Sequence, residues 1–286
     1  MKDYIIYADS GSDITPERCE EYGVRQIPLG VVMDGKACDS IDNAEFYKML
    51  RDGAKAMTNA ANVETLTETF ESTVKEGKDL IYITLSSGLS GTYGYACVAA
   101  RDVNEKYPDA KIYIVDSLGA SSGYGLLVWY AAKMKKEGGD IEQVRDFLVN
   151  NRLRLAHQFT VDDLMFLKRG GRISAATAIA GSMLNIKPLL HVDDEGHLIN
   201  IGKCHGRLAS IKWLCDSMEE SSLGSSQKVF IGHGDCEEDA LILSDMLKER
   251  LGVSDIETFY IGPTIGAHSG PGTLALFYMT KEDKER

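Results

Sequence analysis

Short apolar runs alternate along this chain with longer stretches in which apolar residues recur every three or four positions. The runs at residues 4–8, 80–85 and 111–115 read Tyr-Ile-Ile-Tyr-Ala, Leu-Ile-Tyr-Ile-Thr-Leu and Lys-Ile-Tyr-Ile-Val. They are rich in β-branched and aromatic side chains and predict buried strands. A further strand is expected over residues 26–33, where apolar positions first alternate and then run on. Residues 43–50 and 63–74 carry apolar side chains at helical spacing, with the loop Thr58-Asn59-Ala60-Ala61-Asn62 before the second. Helices are also expected from the turn after residue 85 to about residue 106, and near 125–137 and 141–154. Strands alternating with helices predict a mainly parallel α/β sheet, whose ligand sites lie beyond the carboxyl ends of its strands. The strand ends after Ala8, Leu85 and Val115 all open into serine-rich turns.

Past Phe159-Thr160-Val161-Asp162-Asp163 the pattern changes. Residues 164–168 predict a short helix stopped by Gly170-Gly171, and Ser174 is placed to cap a small-residue helix over 175–184. Residues 188–193 and 197–203, about a turn at 194–196, predict a β-hairpin. A helix, a strand at 228–232, a helix at 237–251, and strands at 256–260 and 273–279 complete the pattern. The expected organisation is two α/β domains, residues 1–160 and 161–286. In the first, a mainly parallel sheet is flanked by helices. No repeat or low-complexity linker separates the two.

Composition narrows the function. With 286 residues, 44% hydrophobic and 26% charged, the chain is that of a folded globular protein. A net charge of -12 argues against nucleic acid and anionic membrane surfaces as partners, since both attract a basic face. The six cysteines form no Cys-x-x-Cys pair, and no apolar run is long enough to span a bilayer. These features predict reduced thiols and residence in the cytoplasm. His191, His197, His205 and His233 form no ligand spacing, so neither a metal site nor a cofactor is expected.

The candidate chemistry centres on Ser86-Ser87-Gly88-Leu89-Ser90-Gly91-Thr92, between a buried strand and a helix. Hydroxyls, glycine amides and a helix N-terminus together suit an anion. The loop lacks the lysine of a Walker A motif, the Gly-x-Gly-x-x-Gly dinucleotide spacing and the Gly-x-Ser-x-Gly nucleophile elbow. A plain helix cap by Ser90 or Thr92 would account for the same residues.

This loop occurs with Asp9-Ser10, Val115-Asp116-Ser117, the stretch Asp163-Leu164-Met165-Phe166-Leu167-Lys168-Arg169-Gly170-Gly171-Arg172-Ile173-Ser174, Leu184-Asn185-Ile186-Lys187-Pro188, and His268-Ser269-Gly270-Pro271-Gly272. In that order, over nearly its whole length, the chain resembles the DegV family of fatty-acid-binding proteins, the lipid-carrying subunits of bacterial fatty acid kinase. The resemblance implies one long-chain fatty acid bound at the domain junction, with its tail in an apolar tunnel. Its carboxylate would be held by Thr58, Ser90 and His268, with Gly91 beside Ser90. The acid would be presented to a separate ATP-dependent kinase subunit, which makes acyl phosphate for phospholipid synthesis. An arginine of the Arg-Gly-Gly-Arg-Ile-Ser stretch is implied in handling the phosphate or docking the kinase, and Arg172 matches better than Arg169. The family's loop carries a proline and a later hydroxyl where this chain has Asn59-Ala60-Ala61-Asn62.

The residue types suit that task. Burying the tail supplies affinity at about 0.8 kcal/mol for each CH₂, while the carboxylate needs hydrogen-bond donors to leave water. The tail would lie against residues such as Ile179, Met183, Leu184, Ile186 and Phe277, types that a packed core also uses. A histidine in a turn and an arginine at a helix start have ordinary structural explanations, and only the resemblance lifts His268 and Arg172 above them. Two alternatives stay open: a stand-alone serine hydrolase using Ser90, His268 and an acid such as Asp116, and a regulatory ligand sensor.

Overall fold

The computed structural model describes residues 2–38, 40–174 and 185–281. The helix expected over 175–184, with Ile179, Met183 and Leu184, lies outside the described residues. In chain order the strands are β1 (Tyr4–Asp9), β2 (Val24–Ile27), β3 (Val31–Met33), β4 (Lys36–Ala37), β5 (Ala56–Thr58), β6 (Asp79–Thr84), β7 (Ile112–Asp116), β8 (Leu155–Thr160), β9 (Ile186–Val192), β10 (Leu198–His205), β11 (Val229–His233), β12 (Ile256–Tyr260) and β13 (Leu274–Met279). The helices are α1 (Pro16–Tyr22), α2 (Asn43–Arg51), α3 (Val63–Lys75), α4 (Thr92–Lys106), α5 (Ser121–Lys136), α6 (Ile141–Asn151), α7 (Leu164–Arg169), α8 (Arg207–Ser221), α9 (Glu237–Leu251) and α10 (Pro263–Ser269).

The continuous apolar runs form a parallel sheet in the order β2-β1-β6-β7. β1 and β6 are buried along their whole length, as strands covered on both faces must be. The helices α3 and α4 pack together against this sheet, as do α5 and α6. A second, mixed sheet has the order β10-β9-β8-β13-β11-β12 and contains the expected hairpin as the antiparallel pair β9 and β10. The α5 helix touches β1 on one side and β8, β11 and β13 on the other. One apolar core therefore runs from Tyr4 through Phe159 to Phe277.

Several features depart from the sequence pattern, among them α1 and β8, which stand where no element was expected. The strand expected over 26–33 is two strands: β2 ends at Ile27, and β3 joins the small antiparallel sheet β4-β3-β5. Pro28 has no N–H to donate to a ladder, so the chain leaves one sheet and enters another. The strand β8, which ends at the expected division after residue 160, pairs with β13 and β9 of the second sheet. The glycine-rich 262–269 stretch contains a helix, α10, with Gly262 as its N-cap residue, Pro263 opening it and Gly270 closing it at φ +77°. Among the described residues no helix is long and apolar enough to cross a membrane.

Candidate functional site

The serine-rich ends of the parallel strands face the second sheet across a cavity of about 280 Å³. Its walls come from β5, the loop after β6, the turn before α5, the inner residues of β8 and β13, the β9–β10 hairpin and α10. Most of the lining is apolar: Leu29, Leu85, Leu89, Phe159, Leu167, Val192, Leu198, Ile261, Ile265, Ala275 and Phe277. Thr58, Ser90, Gly91, Arg172 and His268 also line it, so the fold brings every sequence-predicted head-group residue to one chamber.

Thr58 ends the edge strand β5, where alternation turns Met57 out to 64% exposure and leaves Thr58 half-buried. Its Oγ1 lies 2.7 Å from Nε2 of His268 on α10. The His268 Nδ1 is buried without a hydrogen-bond partner. A Cβ at Gly170 would overlap this nitrogen, so the absence of a side chain there lets the turn after α7 close over the ring. Burial, and secondarily the Arg172 charge, push the His268 pKa down to about 4. The ring is therefore neutral near pH 7. With Nε2–H donating to Thr58, the Thr58 hydroxyl is free to donate onward to an anion.

The Ser86–Thr92 loop does more structural work than its composition suggests. The buried Ser86 hydroxyl donates to the Gly196 carbonyl in the β9–β10 turn (2.9 Å) and accepts from the Gly88 amide (3.1 Å). The Ser87 amide donates to Asp116, and those of Leu89 and Ser90 donate to the Ser86 carbonyl. These amides are spent within the scaffold, so the expected backbone cradle shrinks to its Ser90-Gly91 end. There Ser90 Oγ lies 2.9 Å from Thr92 Oγ1 and accepts from the Thr92 amide at 3.2 Å.

The loop from Asn59 to Asn62 compensates for its departure from the family pattern. Asn59 N–H donates to the Gly30 carbonyl (2.9 Å), Ala61 N–H to Thr92 Oγ1 (3.2 Å), and the Asn62 side chain caps α3 by accepting from Glu64 N–H (2.8 Å). Hydrogen bonds thus hold this lip of the cavity in place.

Arg172 and Arg169 part company. Arg172 is half-buried, and its Nε and one terminal nitrogen donate to the Leu89 carbonyl at 3.2 and 3.0 Å, while the other terminal nitrogen donates to the Gly170 carbonyl. It ties the turn after α7 to the serine loop and sets a positive charge beside His268. Arg169 is exposed and stacks over Phe166, 4.4 Å from the ring centroid. Ile186 opens β9 outside the cavity lining, whereas Phe277 is part of it.

Sequence reasoning missed the polar cluster behind the cavity wall. Asp9, fully buried, accepts from Tyr124 Oη (2.5 Å), Tyr82 Oη (3.2 Å) and the amides of Gly11 and Leu85 (both 3.0 Å). Asp13 accepts from Ser121 Oγ (2.5 Å) and the Gly262 amide (2.9 Å), linking the end of the parallel sheet to α5 and to the start of α10. Burial pushes the Asp13 pKa up to about 8, against the pull of the Ser121 and Gly262 hydrogen bonds. The signal was present in Asp9-Ser10-Gly11-Ser12-Asp13, but its partners lie far along the chain.

A neutral histidine, hydroxyls and one half-buried cation in the wall of a mainly apolar chamber suit a ligand with a carboxylate and a hydrocarbon tail. The family model described as "Uncharacterised protein, DegV family" matches residues 4–281. The chain belongs to the DegV family. A DegV domain-containing protein of Clostridium perfringens is 42% identical over 99% of this chain and 100% of its own length. Among solved structures, a DegV lipid-binding protein from Thermotoga maritima superposes with a TM-score of 0.86 at 30% identity, covering 99% of this chain and 100% of that one. A DegV family protein from Thermus thermophilus, described for its fatty acid binding, gives 0.88 at 27% identity over 98% and 100%. The parallel sheet flanked by helices is the architecture of these DegV proteins.

Proposed function

We propose that this protein binds one long-chain fatty acid at the junction of its two α/β units and presents the carboxylate to a separate ATP-dependent kinase. The product would be acyl phosphate for phospholipid synthesis. The observation that carries the reading is a mainly apolar chamber in whose wall Thr58, Ser90, His268 and Arg172 come together. Each methylene buried there is worth about 0.8 kcal/mol, while donors in that wall offset the desolvation of the carboxylate. In this reading Arg172 positions the serine loop and supplies charge, and the exposed Arg169 is the more accessible contact for a partner or phosphate. All six cysteines are free, which supports a reducing, cytoplasmic setting.

The serine-hydrolase alternative finds less support. Ser90 pairs with Thr92 and His268 with Thr58, while Asp116 accepts the amides of Ser87 and Leu118. The His268 Nδ1 has no carboxylate to orient it.

Native mass spectrometry of the purified protein, followed by denaturing extraction, tests the carrier reading. A stoichiometric fatty acid, weakened in Thr58→Val, is the expected result. A protein that is empty and takes up no added fatty acid would sink it. Acyl phosphate formed by a fatty acid kinase only when this protein is present tests the partner.

A further inference from the structure

His268 lines the cavity, and the next residue, Ser269, receives a hydrogen bond from Thr273 at the start of the β13 segment (3.0 Å). From there alternate residues Thr273, Ala275 and Phe277 face the chamber. The four steps from Thr273 to Phe277 carry the wall roughly 13 Å along the chain from the Ser269 contact. On the neighbouring β8, Phe159 pairs with Ala275 and His157 with Phe277, and the next inward pair, Leu155 and Met279, no longer lines the cavity.

His157 therefore stands at the last rung. It is 3% exposed and packs edge-on against Phe277, with ring centroids 5.3 Å apart at 78°. Its Nε2 accepts the Ala120 amide at 3.3 Å, which requires an unprotonated nitrogen, and its Nδ1–H donates to the Leu155 carbonyl at 3.2 Å. The ring is held at both nitrogens by backbone. A Cβ at Gly119 or Gly123 would overlap it, so these two glycines form the seat into which the ring is set. With these two hydrogen bonds directed into the scaffold, the ring offers the chamber an aromatic face.

We propose that His157 is the tail stop of this cavity: its ring, seated on Gly119 and Gly123, limits how far an acyl chain can run and so sets the preferred chain length. This rests on the fatty acid reading above and adds to it the residue that discriminates between ligands. Removing the ring opens the space over the two glycines to further methylenes.

The test offers an equimolar ladder of saturated straight-chain fatty acids to the delipidated protein and reads bound species by native mass spectrometry. In His157→Ala the ratio of the acid longer by two methylenes to the wild-type favourite is expected to rise roughly tenfold. His157→Phe, which keeps a ring, keeps the wild-type order, and Thr58→Val lowers total uptake without reordering the ladder. An unchanged order in folded His157→Ala overturns the proposal. A fatty acid with a photoreactive diazirine at its terminal carbon tests the same point in the wild-type protein, whether or not His157→Ala folds. Adducts on His157 or Phe277 are expected, and adducts confined to other residues overturn it. Binding by wild type with an unchanged order sinks the tail stop alone, whereas no uptake by wild type removes both readings.

Discussion

Two polar clusters border the same cavity, and they differ in what their hydrogen bonds are for. Around Asp9 both carboxylate oxygens are occupied by hydroxyls and amides of the protein itself, and the residue is fully buried. Around His268 the groups are half-buried, one ring nitrogen has no partner, and the Thr58 hydroxyl can still donate. A saturated buried cluster can only lose by change, because every removal leaves donors without acceptors. An unsaturated one at a cavity wall keeps capacity for a ligand. The first is scaffold and the second is the proposed site.

Asp9→Ala should break this contrast most forcefully. It strands two amides and the Tyr82 hydroxyl in the core and leaves Tyr124 only the Asp9 carbonyl, and a loss of at least ~3 kcal/mol in urea unfolding is expected. A loss no larger than that of Thr58→Val would mean that the two clusters do not differ.

His268 supplies a test by pH. Folding pushes its pKa down to about 4, whereas the unfolded chain takes up the proton near the usual 6.5. Between those values the unfolded state binds more protons, so this contribution to stability is present above about pH 6.5 and is lost as pH falls towards about 4, a difference on the order of 3 kcal/mol. Urea midpoints of the ligand-free wild type should therefore fall more steeply over that window than those of His268→Gln. Parallel curves would show that the ring is not buried as described.

Thr58→Val sharpens the site half of the contrast. Losing one donor to a carboxylate should weaken fatty acid binding by roughly tenfold, at a stability cost under ~1 kcal/mol, measured by titration calorimetry and by urea unfolding. A variant that binds normally would remove Thr58 from the site. The smallest effect is expected at the lip of the cavity, where Asn62→Ala removes the cap of α3 and should cost ~1 kcal/mol. A larger loss would mean that this lip carries more of the fold than its capping bond accounts for.

Much of this arrangement is legible in the chain. The runs of residues 4–8, 80–85 and 111–115 are parallel strands, the hairpin after Ile186 is present, and the serine-rich turns do meet at one place. The family motifs named Thr58, Ser90 and His268 before any geometry was known. Other features were illegible. The Ser86–Thr92 loop suggested an amide cradle, yet most of its amides are spent on Ser86 and Asp116. Composition counts donors but cannot tell which have partners. His157 lies between the helix expected to end at 154 and the change of pattern at 159–163, in residues given no role, because its importance depends on Gly119, Gly123 and Phe277, all distant in sequence.

Local physics thus decides the elements. Periodicity and capping side chains act within a few residues, so the sequence alone determines most of the strands and helices of the first sheet and which turns are rich in donors. Packing decides the rest. Whether a hydroxyl is satisfied, whether a histidine is neutral and where an apolar chamber ends all depend on residues that only the folded chain brings together. That is why Asp9 ends as scaffold and Thr58 as part of the proposed site, a difference that neither residue's neighbours in the chain announce.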